Sequence, residues 1–167
     1  MSSAPWTFCP RCASALSSDG GMGARRRCTS ATCDFVHYAN PTPVVVAIVE
    51  LPTGVVLARG RGWPEKVFAP ISGFLEEGED PREAVVREIS EELGLAARVV
   101  SLVGVYPFAA QNQVLIAYHA VPIDGADGEI VKGDELEEVK LIPVARLKGW
   151  PFATGLAILD WLAQRNA

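Results

Sequence analysis

At 167 residues, 49% of them apolar, the chain has material for one full domain and a small appendage, and not for two full domains. Its net charge of -5 and pI near 5.1 argue against the general basic field of a nucleic-acid binder. No apolar run is long enough to span a bilayer, and Met1 to Trp6 lacks the charged and apolar regions of a secretory signal, so a cytoplasmic protein is expected.

The first segment is rich in Ser, Gly and Arg and holds all four cysteines: Cys9, Cys12, Cys28 and Cys33. In a reducing cytosol such clustering argues for a metal site and against a disulfide framework. Cys9-x2-Cys12 has zinc-knuckle spacing, whereas Cys28-x4-Cys33 is wider than the usual x2. His37, four residues after Cys33, is a substitute ligand if Cys33 is misplaced. Arg25-Arg26-Arg27 reads as a solvated strand, with nucleic-acid contact as the alternative. Asn40-Pro41-Thr42-Pro43 is a stiff extended junction, and the domain boundary is placed there, dividing 1–40 from 41–167.

From Val44 the character changes. Val44 to Val49 reads as a buried strand, Thr53-Gly54 as a turn, and Val55 to Ala58 as its hairpin partner. A looser stretch with Gly60, Gly62 and Pro64 leads to Gly73. Residues 81–93 read as helix, and further strands are expected at Arg98 to Tyr106, Gln113 to Val121 and Glu137 to Ile142. Asp124 to Asp134 is a polar loop. Thr154 to Gln164 reads as an amphipathic helix with Leu156, Leu159 and Leu162 on one face. Strands on both sides of a mid-chain helix, closed by a second helix, imply a mixed sheet packed between helices.

The mid-chain helix carries the chemistry. Asp80 can cap it, Pro81 suits its first position, Glu83 completes a capping-box pattern and Gly94 suits a left-handed stop. Val86, Ile89 and Leu93 form an anchoring arc. Glu88, Glu91 and Glu92 stand at i, i+3 and i+4, so their carboxylates share another face. By spacing alone this is a solvated acidic face; as hard oxygen ligands the three acids would suit Mg²⁺ or Mn²⁺, which would relieve their repulsion.

The wider pattern decides between these readings. From Gly73, five residues lead to Glu79, and seven more to Arg87-Glu88-Ile89-Ser90-Glu91-Glu92-Leu93-Gly94-Leu95. This resembles the box of the Nudix hydrolases at every specified position. The resemblance implies an α/β/α Nudix sandwich with Glu88, Glu91 and Glu92 as the metal-binding carboxylates, one of them orienting or deprotonating the attacking water. It further implies Arg87 and Glu79 as the pair fixing loop to helix, and Gly73 as the residue that permits the backbone geometry where strand meets loop. A polyanionic diphosphate needs cations to neutralise charge and acidify water, and carboxylates recruit them.

The likeness extends to the zinc-ribbon-bearing branch typified by bacterial NADH pyrophosphatase. It implies an N-terminal ribbon over 1–40 in which Cys9, Cys12, Cys28 and Cys33 hold a structural zinc, with a role in dimerisation or in positioning the catalytic domain. Ile71-Ser72-Gly73-Phe74-Leu75-Glu76 is similar to the branch's entry to the box, and Ala153 to Leu162 to its closing helix. The family places a further acid near the metals; Glu138 is the best match and Glu135 the reserve. Tyr106-Pro107-Phe108-Ala109-Ala110-Gln111-Asn112-Gln113 stands where NADH pyrophosphatases carry a Ser/Trp/Pro-rich motif, and keeps only its Pro-Phe and a preceding aromatic. Phe74, Tyr106 and Phe108 are candidate substrate contacts, the last two by stacking on a base. His119, in an apolar strand, reads as a hydrogen-bonded structural histidine.

The expected activity is hydrolysis of a nucleoside diphosphate linked to another moiety: NADH, ADP-ribose, FAD or a dinucleoside polyphosphate. The rivals are a non-catalytic nucleotide sensor whose ribbon contacts nucleic acid or protein, and removal of a nucleotide cap from RNA. A homodimer is expected, without membrane association, and with nucleic acid as a partner only in the form of capped RNA.

Overall fold

The computed structural model describes residues 6–17, 25–123 and 129–165. The chain divides into two compact units: the chain up to Pro41 with Ala110–Asn112, and Thr42–Ala109 with Gln113 onward.

In the smaller unit, β1 (Arg26–Arg27) pairs antiparallel with β2 (Val36–His37), Arg26 facing His37. Strands of two residues bury little, and the buried residues described in this unit are Cys9 and Leu16. Turns shape it instead. The Cys9 N–H donates to the Ser14 carbonyl and the Ala13 N–H to the Cys9 carbonyl, both at 2.8 Å, with Ala13 at a left-handed φ of 57°. After Cys28, the Cys33 N–H donates to the Ser30 carbonyl at 3.2 Å and the Ser30 N–H to the Cys28 sulfur at 3.4 Å. The intervening residues are thereby folded as a turn.

The larger unit is organised by its most apolar segment. In β3 (Thr42–Leu51), residues Val44 to Val49 are buried, and alternate side chains enter different cores. Val45, Ala47 and Val49 face one cluster, while Val44, Val46 and Ile48 face the other. A strand covered on both faces reads as a continuous apolar run, which is how this one reads in the sequence. Around it lie β4 (Gly54–Gly60), β5 (Ile71–Phe74), β6 (Ala97–Phe108), β7 (Gln113–Pro122) and β8 (Leu136–Ile142). The order is β6-β7-β3-β4-β8, with β5 also on β3; β3 and β7 run parallel and the other pairs antiparallel. The expected mixed sheet between two helices is present, with α1 (Pro81–Leu93) on one core and α2 (Thr154–Arg165) on the other.

Local chemistry sets the helix ends. Asp80 accepts the Arg82 N–H at 2.8 Å, Pro81 opens α1, and Gly94 closes it at φ 65° with its N–H on the Ser90 carbonyl. The capping box is only half formed: among the described residues Glu83 returns no bond to the Asp80 N–H, and its charge simply sits in the favourable first turn. The anchoring arc of α1 holds Ile89 and Leu93 as expected and is widened towards Ala84 and Val85. Ala84, Val85, Ile89 and Leu93 are buried, while Val86 is half-buried at the edge.

In α2 the expected leucine stripe is not the seam. Ala157, Ile158 and Trp161 are buried, Leu156 and Leu162 flank them, and Leu159 is 43% exposed. Residues spaced three apart drift around a helix, whereas Ile158 and Trp161 with Ala157 hold one arc against the sheet. β5, read as part of a loose stretch, gains its strand character from pairing Ile71 to Phe74 against Val44 to Ala47. The expected polar loop from Asp124 to Asp134 lies outside the described residues over 124–128. No described helix is long and apolar enough to cross a membrane.

Candidate active site

Gly73 lies within β5, opposite Val45, on the face that α1 covers. The carboxyl of Glu88 occupies the space where a Cβ of residue 73 would project, so any side chain there would overlap it. The expectation for Gly73 was a special backbone geometry at a strand end. Its φ is not positive and it sits inside the ladder, so glycine is needed for the close approach of Glu88 instead.

Arg87 ties this arrangement together. Its Nε donates to Glu79 Oε1 at 2.8 Å and one terminal nitrogen to Glu79 Oε2 at 3.0 Å, a bidentate pairing. The same arm reaches the Phe74 carbonyl at 3.2 Å, and the other terminal nitrogen binds Glu88 at 2.7 Å and Glu91 at 3.1 Å. Glu79 also accepts the Glu76 N–H at 3.1 Å. The loop after β5 is therefore fastened to α1 at its start and near its end. The Arg87 guanidinium beside Glu79 holds that carboxyl below its ordinary range.

Glu88, Glu91 and Glu92 all line a cleft of about 720 Å³, together with Gly73, Phe74, Arg87, Phe108, Gln113 and Glu135. Glu92 accepts no hydrogen bond through its carboxylate among the described residues. Burial first, then Glu88, Glu135 and Glu91, push its carboxyl up to about 7. Burial likewise pushes Glu88 up, against the pull of Arg87. Acids buried and crowded together in this way suit a small, hard cation.

Of the two candidates for a further acid, Glu135 lines the cleft and Glu138 stands elsewhere. Glu138 faces Arg59 across the β4–β8 ladder, 3.4 Å from its guanidinium and 3.2 Å from Lys140. The Lys140 ammonium and Arg59 hold its carboxyl below the ordinary range, and it does not line the cleft. The segment before β8 owes its position to two bonds onto the end of α1: the Val131 N–H to the Leu93 carbonyl at 2.9 Å, and the Gly133 N–H to the Glu92 carbonyl at 2.8 Å. At Gly133 a Cβ would stand 2.5 Å from the Glu91 carbonyl oxygen, so the close docking needs glycine. Glu135 is thus the reserve candidate of the sequence, and Gly133, which seats it, is the residue not among those candidates.

Of the three aromatic candidates, Phe74 and Phe108 line the cleft, and Tyr106 does not. Tyr106 is buried in the core under α2, where its hydroxyl donates to Asp160 at 2.7 Å. Trp63, absent from the sequence candidates, lines the cleft and is 42% exposed. His119 is structural, with Nε2 2.9 Å from Glu50, which also pairs with Arg165 at 2.6 Å.

In the smaller unit the sulfurs of Cys9, Cys12, Cys28 and Cys33 all lie within 4.8 Å of one another, the nearest pairs being Cys12–Cys28 at 3.4 Å and Cys9–Cys33 at 3.7 Å. Four thiolates around one zinc, each about 2.3 Å from it, stand roughly 3.8 Å apart, so this set fits the ion. The turn at Ser30 is what brings the widely spaced Cys33 home. His37 is occupied otherwise, stacked on Trp6 at a centroid distance of 5.0 Å.

The crowding of Glu92 has a consequence for stability. A carboxyl whose folded pKa is raised destabilises the fold once ionised, so its cost appears as pH rises from about 4.5 to about 7 and is full above that. Without added divalent cation, Glu92→Gln should raise the thermal midpoint at pH 8 by several degrees, on the order of 2–3 kcal/mol, and the gain should vanish near pH 5. Thermal unfolding followed by circular dichroism checks this; a variant no more stable than the parent at pH 8 contradicts it.

Comparisons with known proteins agree with the site. Residues 40–161 match the family model described as the NUDIX domain. The chain is 28% identical over 151 residues to the NAD-capped RNA hydrolase NudC of Pseudomonas putida, covering 90% of this chain and 52% of that protein. It therefore spans about half the length of that curated relative. It is 34% identical over 134 residues to the ADP-ribose pyrophosphatase of Methanocaldococcus jannaschii, covering 77% and 78%. Among solved structures, a NUDIX hydrolase from Nitrosomonas europaea shares the fold with a TM-score of 0.76 at 23% identity, covering 96% of this chain and 93% of that one. By its matched domain, its fold and its intact box from Gly73 to Leu95, the chain belongs to the NUDIX domain family.

Proposed function

We propose that the protein hydrolyses the diphosphate of a nucleoside diphosphate linked to another moiety, with Mg²⁺ or Mn²⁺ held by Glu88, Glu91 and Glu92. The observation that carries this is the crowding of three carboxylates from one helix face into a cleft of about 720 Å³, with Glu88 set over Gly73. When bound, the divalent ion neutralises phosphate charge and acidifies water. The residues do the rest. Glu92, partly buried in the cleft and accepting no hydrogen bond through its carboxylate among the described residues, is suited to take the proton of the attacking water. Arg87 and Glu79 fix the loop so that the carboxylates keep their places. Glu135 takes the role of the additional acid expected at Glu138, because it faces Glu92 while Glu138 is paired with Arg59. Phe74 and Phe108 supply apolar wall for the nucleoside.

Residues 1–40 form a zinc ribbon on Cys9, Cys12, Cys28 and Cys33, ahead of a catalytic domain over 41–167. The close approach of four sulfurs supports the metal, and thiols kept for a metal suit the cytoplasm. A homodimer is supported by the outer strand β6, which exposes Val100, Leu102 and Val105. A nicotinamide dinucleotide, free or as an RNA cap, is favoured among substrates by the relative named for NAD-capped RNA, and ADP-ribose by the archaeal one.

Purified protein with Mg²⁺ or Mn²⁺ should release mononucleotide products from at least one of NADH, ADP-ribose, FAD, a dinucleoside polyphosphate or NAD-capped RNA. Glu92→Gln should lower kcat about 10²- to 10⁴-fold, the usual contribution of a positioned proton acceptor. Turnover of none of these above the Glu92→Gln background would favour the nucleotide sensor. Elemental analysis should find about one zinc per chain, falling to near zero when Cys9 and Cys12 are both replaced by serine; a zinc-free parent protein contradicts the ribbon.

A further inference from the structure

Two clefts meet at the carboxylates. The second, of about 590 Å³, shares Trp63, Ser72, Glu92, Asp134 and Glu135 with the first, and is walled beyond them by residues that include Arg61, Pro70 and Leu136. A linear substrate whose diphosphate lies at the shared acids thus has one cleft for each arm. The first cleft contains Phe74 and Phe108 besides the shared Trp63. The second has only one aromatic side chain, that of Trp63.

Trp63 is held in an unusual way. Its backbone N–H donates to the Gly60 carbonyl at 3.2 Å, and its indole rests on Gly60, where a Cβ would come about 3.1 Å from the ring. The backbone therefore supports the ring, and a side chain at residue 60 would press against it. Despite its size the residue is 42% exposed, and among the described residues no aromatic ring or cation stacks on it. Exposing so large an apolar ring forfeits burial that a core tryptophan would gain. A supported, unstacked indole beside a phosphate-cleaving site is a surface for another planar ring.

Charge agrees with this placement. Arg61 stands in the second cleft, two-thirds exposed and only loosely paired, 3.9 Å from Asp134. The other arginine lining either cleft, Arg87, is committed to Glu79, Glu88 and Glu91. Among the described residues lining either cleft, Arg61 is thus the arginine left to meet an anionic arm.

We propose that Trp63 is the ring platform of the second cleft, and that it selects diphosphates carrying a planar heterocycle on the second arm over those ending in a sugar. The proposal rests on the diphosphate-hydrolase reading and names the class of substrate for that site. Trp63 acts on binding, so it should appear in KM and not in the chemical step.

The test compares NADH with ADP-ribose, which share the adenosine diphosphate and differ in the second ring. Trp63→Ala should raise KM for NADH about tenfold or more, as loss of one ring stack does, with kcat within about twofold. KM for ADP-ribose should stay near the parent value, and Trp63→Phe should recover most of the loss on NADH. Equal losses on both substrates, or no loss on NADH, would overturn the platform while leaving hydrolysis standing. A binding readout separates the two readings. NAD⁺ titrated into Glu92→Gln protein should quench tryptophan fluorescence, and the quench should be lost when Trp63→Phe is added. That outcome without turnover of any substrate would sink the hydrolase reading and keep the ring platform; a quench that persists without Trp63, or none at all, overturns the platform. Unfolding midpoints matching the parent confirm that each variant is folded.

Discussion

The Glu88 carboxylate occupies the space in which any side chain at residue 73 would lie, and the rest of the site is arranged around that contact. Because β5 presents a glycine there, α1 can bring a half-buried acid directly onto the sheet. Burial raises the carboxyl of Glu88 and that of Glu92 one turn on, so the helix face stores an electrostatic cost. Arg87 offsets part of it by bridging Glu88 and Glu91, while Glu79 holds Arg87 from the far side. A divalent cation would relieve what remains.

The sheet makes that contact possible. β3 is buried on both faces and carries β5 and β7 on opposite edges, so one rigid strand aligns the Gly73 notch with the wall at Gln113 and Leu115. α1 and α2 cover opposite faces, and the cleft opens at the end of the sheet where elements from both layers are exposed. The segment at Gly133 docks on the last turn of α1 and brings Glu135 in. Function therefore sits at the rim of two cores, where acids can be half-buried without being sealed.

Much of this could be read from the residues, for identifiable reasons. The run from Val44 to Val49, the Asp80-Pro81 start and the Gly94 stop are local signals, and local chemistry decides them. The box marks Glu88, Glu91 and Glu92 because spacing on a helix fixes a face. What could not be read depends on distant partners. β5 is a strand only because β3 pairs with it, and Glu138 leaves the site because Arg59 lies opposite it in the ladder. Tyr106 is turned into the core by Asp160, 54 positions away. Trp63 gave no periodic signal at all, since it lies in a turn and owes its place to Gly60. The x4 spacing of Cys28 and Cys33 departs from the usual pattern in sequence and is absorbed by one turn in space.

The most direct test of the central claim is the turnover of Gly73→Ala beside its capacity to bind Mn²⁺. One methyl group at that position must displace Glu88, so kcat should fall at least about a hundredfold, as misplacement of a reacting geometry by about 1 Å does. Mn²⁺ binding followed by electron paramagnetic resonance should weaken together with it, while the thermal midpoint with metal absent is held or rises as Glu88 moves toward solvent. Turnover and Mn²⁺ affinity both unchanged in a folded Gly73→Ala protein would contradict the account.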